Sequence, residues 1–262
     1  QIRFGAADGG SGIDAYDDKI PTAWEETWGT SVGTGVHLIN GVGSSMNIQY
    51  KTPVILGPLG ASIAVAYAPR VNGAATNDKG QGDTAGANDA GNGLDVTLNL
   101  NPQWGDWNSG LNIFAGAHRN DKTEPNRGTV SNSHNAEHGE GVLGATLAIG
   151  PVTVGGQKTA EYVAGPKRTG TDTDYYTGAH VGIALNISDN LALSWGNMRS
   201  KRYFVDPSAN EAVELEAESV QVSYTMGGMG IILADTDVTN AAYGTGTSAD
   251  KDGTTFRLSF AF

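Results

Sequence analysis

The feature that most constrains this chain is alternation with a period of two, repeated along most of its length. In LDVTLNLN, Leu94, Val96, Leu98 and Leu100 alternate with Asp95, Thr97, Asn99 and Asn101. Successive side chains of a strand point to opposite faces, so such a segment separates an apolar environment from a wet one. SMNIQYKT repeats the pattern with Met46, Ile48 and Tyr50 against Asn47, Gln49 and Lys51, and VGIALNIS with Val181, Ile183, Leu185 and Ile187 against Ala184, Asn186 and Ser188. GASIAVAYAP sets Ile63, Val65 and Tyr67 opposite Ser and Ala alone. The closing TTFRLSFAF places Phe256, Leu258, Phe260 and Phe262 against Thr255, Arg257 and Ser259, and it stops on an aromatic residue where a frayed polar tail is usual.

Helical periodicity is almost missing. Further strands are expected at about 108–121, 139–149, 152–164, 190–203, 214–226 and 229–242, which makes eleven after position 44. Their connectors alternate between tight turns (ILGPLG, PQWGDWNSG, GP, SDN, GGMG) and long polar loops near 70–92, 121–137, 165–173, 204–213 and 243–253. Two registers stay open. Glu214, Glu216 and Glu218 share parity with Val220, Val222 and Tyr224, which requires either a bulge or an outward face above lipid or in a subunit contact. The Gly155-Gly156 pair leaves the direction of Lys158 undefined.

Composition narrows the choice. Only 39% of the 262 residues are hydrophobic, and no run approaches the roughly 20 apolar residues of a membrane-spanning helix. A β-barrel wall is compatible with this, because its apolar residues occupy alternate positions and vanish in a hydropathy average. A net charge of -12 argues against a nucleic-acid partner, and the absence of cysteine excludes disulfides and thiolate metal sites. GEGVLG fits a glycine-rich dinucleotide pattern but runs into a strand instead of a helix. HNAEH, with His134 and His138 four apart, lacks the order of a zinc protease and reads as a solvated loop. The Asp-rich loops offer oxygen ligands of the kind calcium takes, without a spacing that defines a site, so the metal content is left open. No catalytic constellation and no cofactor site stands out.

The first 44 residues read differently. QIRFG has the look of a strand end, and GIDAYDDKIPTAWEETWGT lies within more than thirty residues that lack alternation, a length that usually signals function. These two segments, the eleven strands and the terminal Phe resemble the trimeric, sixteen-stranded general porins of Gram-negative outer membranes, specifically the alphaproteobacterial type. The resemblance implies an all-β transmembrane antiparallel barrel, a single domain over 1–262, with residues 7–44 as a constriction loop folded into the pore. It also implies that strands precede Gln1, so the chain is expected to be incomplete at its amino end; the alternative is a complete twelve-stranded channel. Expected partners are two further copies in a homotrimer, outer-membrane lipid and lipopolysaccharide, the barrel-assembly machinery through Phe262, and small hydrophilic solutes.

By the same resemblance, Asp14, Asp17, Asp18, Glu25 and Glu26 would form the acidic side of the constriction, with Arg3 as a basic counterpart. Lys51, Asp95, Asn99 and Arg257 would line the lumen, and Arg119 and Arg199 could do so by parity. Trp24, Tyr16 or Trp28 would anchor the loop near the Ser/Ala face of strand 61–68, and Tyr50, Tyr67, Trp104, Trp107, Tyr175 and Tyr224 would form interfacial girdles. The function expected is passive diffusion through a mildly cation-selective outer-membrane channel. The alternatives are a substrate-selective outer-membrane channel and, in another class, a soluble all-β binding protein.

Overall fold

A computed structural model describes residues 1–6, 10–43, 45–69, 71, 90–102, 110–122, 136–163 and 170–260. Phe262, Trp104, Trp107 and His134 lie outside these residues. The fold is one antiparallel sheet in which twelve strands follow one another in chain order. They are β1 (Ile2–Ala6), β2 (Met46–Lys51), β3 (Ala61–Ala68), β4 (Ala90–Leu100), β5 (Leu111–Lys122), β6 (Ala136–Ile149), β7 (Val152–Tyr162), β8 (Thr173–Ser188), β9 (Leu191–Phe204), β10 (Val213–Met226), β11 (Met229–Thr239) and β12 (Lys251–Phe260). β1 and β12 are the two edges of the sheet. Two-residue connections join β6 to β7, β8 to β9 and β10 to β11, as the tight turns in the sequence require.

The two faces of the wall differ in the way the alternation implies. Outward residues pair with one another across neighbouring strands: Tyr67 faces Leu94, Val65 faces Val96 and Ile63 faces Leu98. Leu233 faces Phe256, and Ile231 faces Leu258. These side chains are partly to largely exposed; Phe256 is 65% and Leu143 61% exposed. A continuous apolar surface of this kind is unsuited to water and suited to lipid or a second subunit. The concave face carries the complementary set, with Asp95, Thr97, His118, Gln157, His180, Ser194, Ser219, Gln221 and Thr236 all buried.

Both open registers are decided by the pairing. β10 runs opposite β9 and β11 without a shift, so Glu214, Glu216 and Glu218 point outward with Val220. There Arg199 Nη2 meets Glu216 Oε1 at 2.9 Å, and Trp195 Nε1 donates to Glu218 Oε1 at 3.0 Å. β7 also pairs without interruption, which sends Lys158 outward with Val154 and Tyr162. Arg119 and Arg199 do not line the lumen. Arg119 shares the outward parity of β5, where it pairs with Glu137, while Phe114 and His118 take the inward positions.

The apolar band predicts a depth-dependent penalty. Val96→Arg should lower stability in lipid vesicles by about 2–4 kcal/mol if Val96 lies near the bilayer centre, whereas Val96→Ile should change it little. Denaturant titration of the two variants checks this, and an arginine variant with an unmoved midpoint would place Val96 in water.

Candidate functional site

Between β1 and β2 the chain leaves the wall and crosses the concave face as an irregular strap. Arg3 Nη1 donates to the Gly10 carbonyl at 2.9 Å, and the Gly10 N–H donates to Asp14 Oδ2 at 2.8 Å. A short 3-10 turn over Gly12–Tyr16 then sits on the inner faces of β4 and β5. The Gly12 N–H donates to Gln49 Oε1 and the Ile13 N–H to Asp95 Oδ2, each at 2.9 Å. Tyr16 stacks on Phe114 with ring centroids 5.0 Å apart, inside a buried cluster with Ile13, Ile39 and Val142.

From there the strap runs along β7 to β12, and wall side chains satisfy its backbone. Ala23 N–H donates to Ser194 Oγ at 2.9 Å, and Gln221 Nε2 donates to the Glu25 carbonyl at 2.7 Å. The hydroxyls of Thr30 and Thr236 are 2.7 Å apart, Thr255 Oγ1 donates to the Thr30 carbonyl at 2.6 Å, and Lys251 Nζ reaches the Gly33 carbonyl at 2.7 Å. Inward glycines make room beneath it. A Cβ on Gly182 would lie 2.5 Å from Ile20, and one on Gly155 would lie 2.5 Å from Pro21.

The return path is held by acids. His37 N–H donates to Tyr243 Oη at 3.0 Å; the Asn40 and Gly41 N–H groups donate to Glu140 Oε2 at 2.7 and 2.9 Å; and the Val42 N–H donates to Asp95 Oδ2 at 3.2 Å. One carboxylate therefore binds both ends of the strap. Gly12 and Gly41 flank it with φ of +63° and +54°, and a Cβ on either would overlap the Asp95 carboxylate. Only glycine combines that backbone with that proximity.

The expected acidic residues all fall on the strap. Asp18 is exposed and pairs with Lys19 at 2.9 Å, while Asp14, Asp17, Glu25 and Glu26 are half-buried. Burial pushes the Asp17 carboxyl up to about 7, with the charges of Asp14, Asp18 and Glu26 adding to the shift. Burial also raises Asp14 and Glu26. Arg257 and Lys51 occupy inward positions, with the Arg257 guanidinium 5.9 Å from the Trp24 ring centroid. Asn99 is half-buried on the inward parity, its amide oxygen accepting from Asn101 Nδ2 at 2.6 Å.

Three expectations need correction. Asp95 faces inward but is 0% exposed, so it is a strap anchor and not a wetted wall residue. The aromatic anchors do not lie by β3: Tyr16 sits on Phe114 of β5, Trp24 lies by Arg257 of β12, and Trp28 packs against the cluster of Met198, Leu215, Ala217 and Val238. It is Val42 that meets Ala66 and Ala68 on β3. His138 belongs to β6 and is buried beneath the strap instead of lying in a solvated loop.

The outer-membrane channel DcaP of Acinetobacter baumannii superposes with a TM-score of 0.66 at 10% identity, over 100% of this chain and 71% of that one. The Salmonella typhi OmpF complex with daunomycin gives 0.64 at 14%, over 98% and 73%. The fold is that of a porin. A loop-deletion variant of OmpT from Vibrio cholerae matches more distantly, with a TM-score of 0.51 at 11% identity over 90% of this chain and 68% of that one. No family model and no curated protein matches the sequence.

Asp95→Ala would strand the Ile13 and Val42 N–H groups and His118, at about 1–3 kcal/mol for each buried group left unsatisfied. The intact protein should resist proteolysis within residues 14–28, and both Asp95→Ala and Gly12→Ala should open that stretch to cutting while the strands keep their circular dichroism. Equal resistance in all three proteins would mean that Asp95 does not hold the strap.

Proposed function

We propose that the chain forms a water-filled channel of the bacterial outer membrane, through which ions and small hydrophilic solutes diffuse passively. The observation that carries this reading is the acidic strap lying across the polar concave face of a wall whose convex face is apolar. The porin fold supports it. Residues 7–44 act as the constriction, with Asp14, Asp17, Asp18, Glu25 and Glu26 setting its field and Arg3 bracing its base. The QIRFG strand end and the acidic segment after it support placement among the general porins of alphaproteobacterial type.

The assembly belonging to this reading is a homotrimer in a lipid and lipopolysaccharide leaflet. Small outward residues on β6 to β8, Gly141, Ala160 and Ala179, floor a depression bordered by Leu143, Lys158, Arg199 and Tyr203, a shaped area suited to subunit contact. Side-chain charge around a narrow aqueous path sets ion preference, and apolar walls strengthen its field. The channel therefore favours cations moderately.

Two measurements test this. A zero-current potential in a potassium chloride gradient should show cation preference, reduced when Asp17, Asp18, Glu25 and Glu26 become Asn or Gln; chloride preference, or indifference to the four changes, would put the constriction elsewhere. Because Asp17 titrates at about 7, it is largely neutral below that pH and adds a negative charge above it. Cation preference should thus increase between about pH 6 and pH 8, where an ordinary aspartate is already fully ionised, and Asp17→Asn should flatten that increase.

A further inference from the structure

Beneath the return path of the strap, a cluster of imidazoles and carboxylates exceeds what anchoring the backbone requires. His118 on β5 and His138 on β6 are 4% and 6% exposed, with ring centroids 5.8 Å apart. His118 Nδ1 lies 2.5 Å from Asp95 Oδ1 and therefore donates to it, while Nε2 contacts Asn120 Oδ1 at 2.8 Å. His138 Nε2 is 2.9 Å from Glu140 Oε1 and 3.6 Å from Glu161 Oε1. His138 Nδ1 is buried with no hydrogen-bond partner. Asp95, Glu140 and Glu161 thus bring three carboxylates to two buried imidazoles, with strap N–H groups also donating to Asp95 and Glu140 and with His37 pairing with Glu161.

We propose that His118, His138 and Glu140 bind a divalent transition-metal ion of the Zn2+ class. Each offers one ligand atom, and these atoms lie within 4.8 Å of one another. Bonds of about 2.0–2.1 Å in tetrahedral geometry need a separation of about 3.3–3.4 Å between ligands, so side-chain rotation closes the set and releases His118 Nε2 from Asn120. Glu161, whose Oε1 is 3.6 Å from His138 Nε2 and whose Oε2 is paired with His37, lies outside this set and would have to shift to serve as a fourth ligand. Asp95 already orients His118 through the opposite ring nitrogen, the outer carboxylate usual for a metal-bound histidine. Two nitrogens with carboxylate oxygens favour Zn2+, Ni2+ or Cu2+ over Mg2+ and Ca2+, which take oxygen alone. The ion would brace the strap directly, since the second oxygen of Glu140 holds the Asn40 and Gly41 N–H groups and Asp95 holds those of Ile13 and Val42.

The test is calorimetric titration of the detergent-solubilised full chain with Zn2+, and with Co2+ for its visible spectrum. One ion per chain is expected, with the intense absorption of low-coordinate Co2+. His118→Gln and His138→Gln should each weaken binding by at least tenfold, and His180→Gln, a buried histidine outside the cluster, should leave it unchanged. Circular dichroism establishes that each variant is folded. X-ray absorption at the zinc edge of the unsubstituted protein should show two imidazole nitrogens, a readout that needs no variant. Absence of saturable Zn2+ binding to the unsubstituted protein, or affinity that survives both histidine changes, would overturn the site.

Discussion

The strap depends on the Asp95 carboxylate. A buried charge is costly unless hydrogen bonds replace the water it has lost, and Asp95 accepts from two backbone N–H groups and one imidazole. The donors come from positions 13 and 42, so a single side chain on β4 closes a segment of about thirty residues upon itself. Gly12 and Gly41 allow the approach. Without this anchor both ends of the strap would carry unpaired buried amides, which is where its inward path would become unfavourable.

The rest of the concave face follows the same logic. An irregular backbone cannot pair with itself, so the wall supplies the partners: Ser194, Gln221, Thr236 and Thr255 are short polar side chains placed where strap amides, carbonyls and hydroxyls arrive. Glycines lower the floor beneath Ile20 and Pro21. The convex face is built oppositely, with charged departures that include Arg119 and Glu137 on β5 and β6, Lys158 on β7, and a cluster on β9 and β10. There Arg199, Asn197 and Glu216 satisfy one another, and Trp195 donates to Glu218, so the outward charges arrive already paired.

Strand positions and inward parity were legible where apolar and polar residues alternate cleanly, as along β2, β4 and β12. They were illegible where the strap supplies its own apolar surface to the inner wall. Phe114 and Met198 are large, apolar and inward because Tyr16 and the Trp28 cluster cover them. That removes the apolar contrast between the faces of β5 and β9, so alternation alone does not tell which way Arg119 and Arg199 point. His118, His138 and Glu140 share inward parity, a pattern visible in the chain, but parity does not say which inward residues lie under the strap.

By itself the sequence determined the all-β class, the number of strands after position 44, the two-sided wall and the acidic character of the segment between the first two strands. These depend on local periodicity and turn chemistry, which act over a few residues. Only the tertiary structure decided that Asp95 is an anchor instead of a wet wall residue, that Glu214 to Glu218 face outward without a bulge, and that His118 meets His138 across β5 and β6. Those facts depend on pairing register and on where one irregular segment lands, and both are set by contacts between residues 13 to more than 200 positions apart.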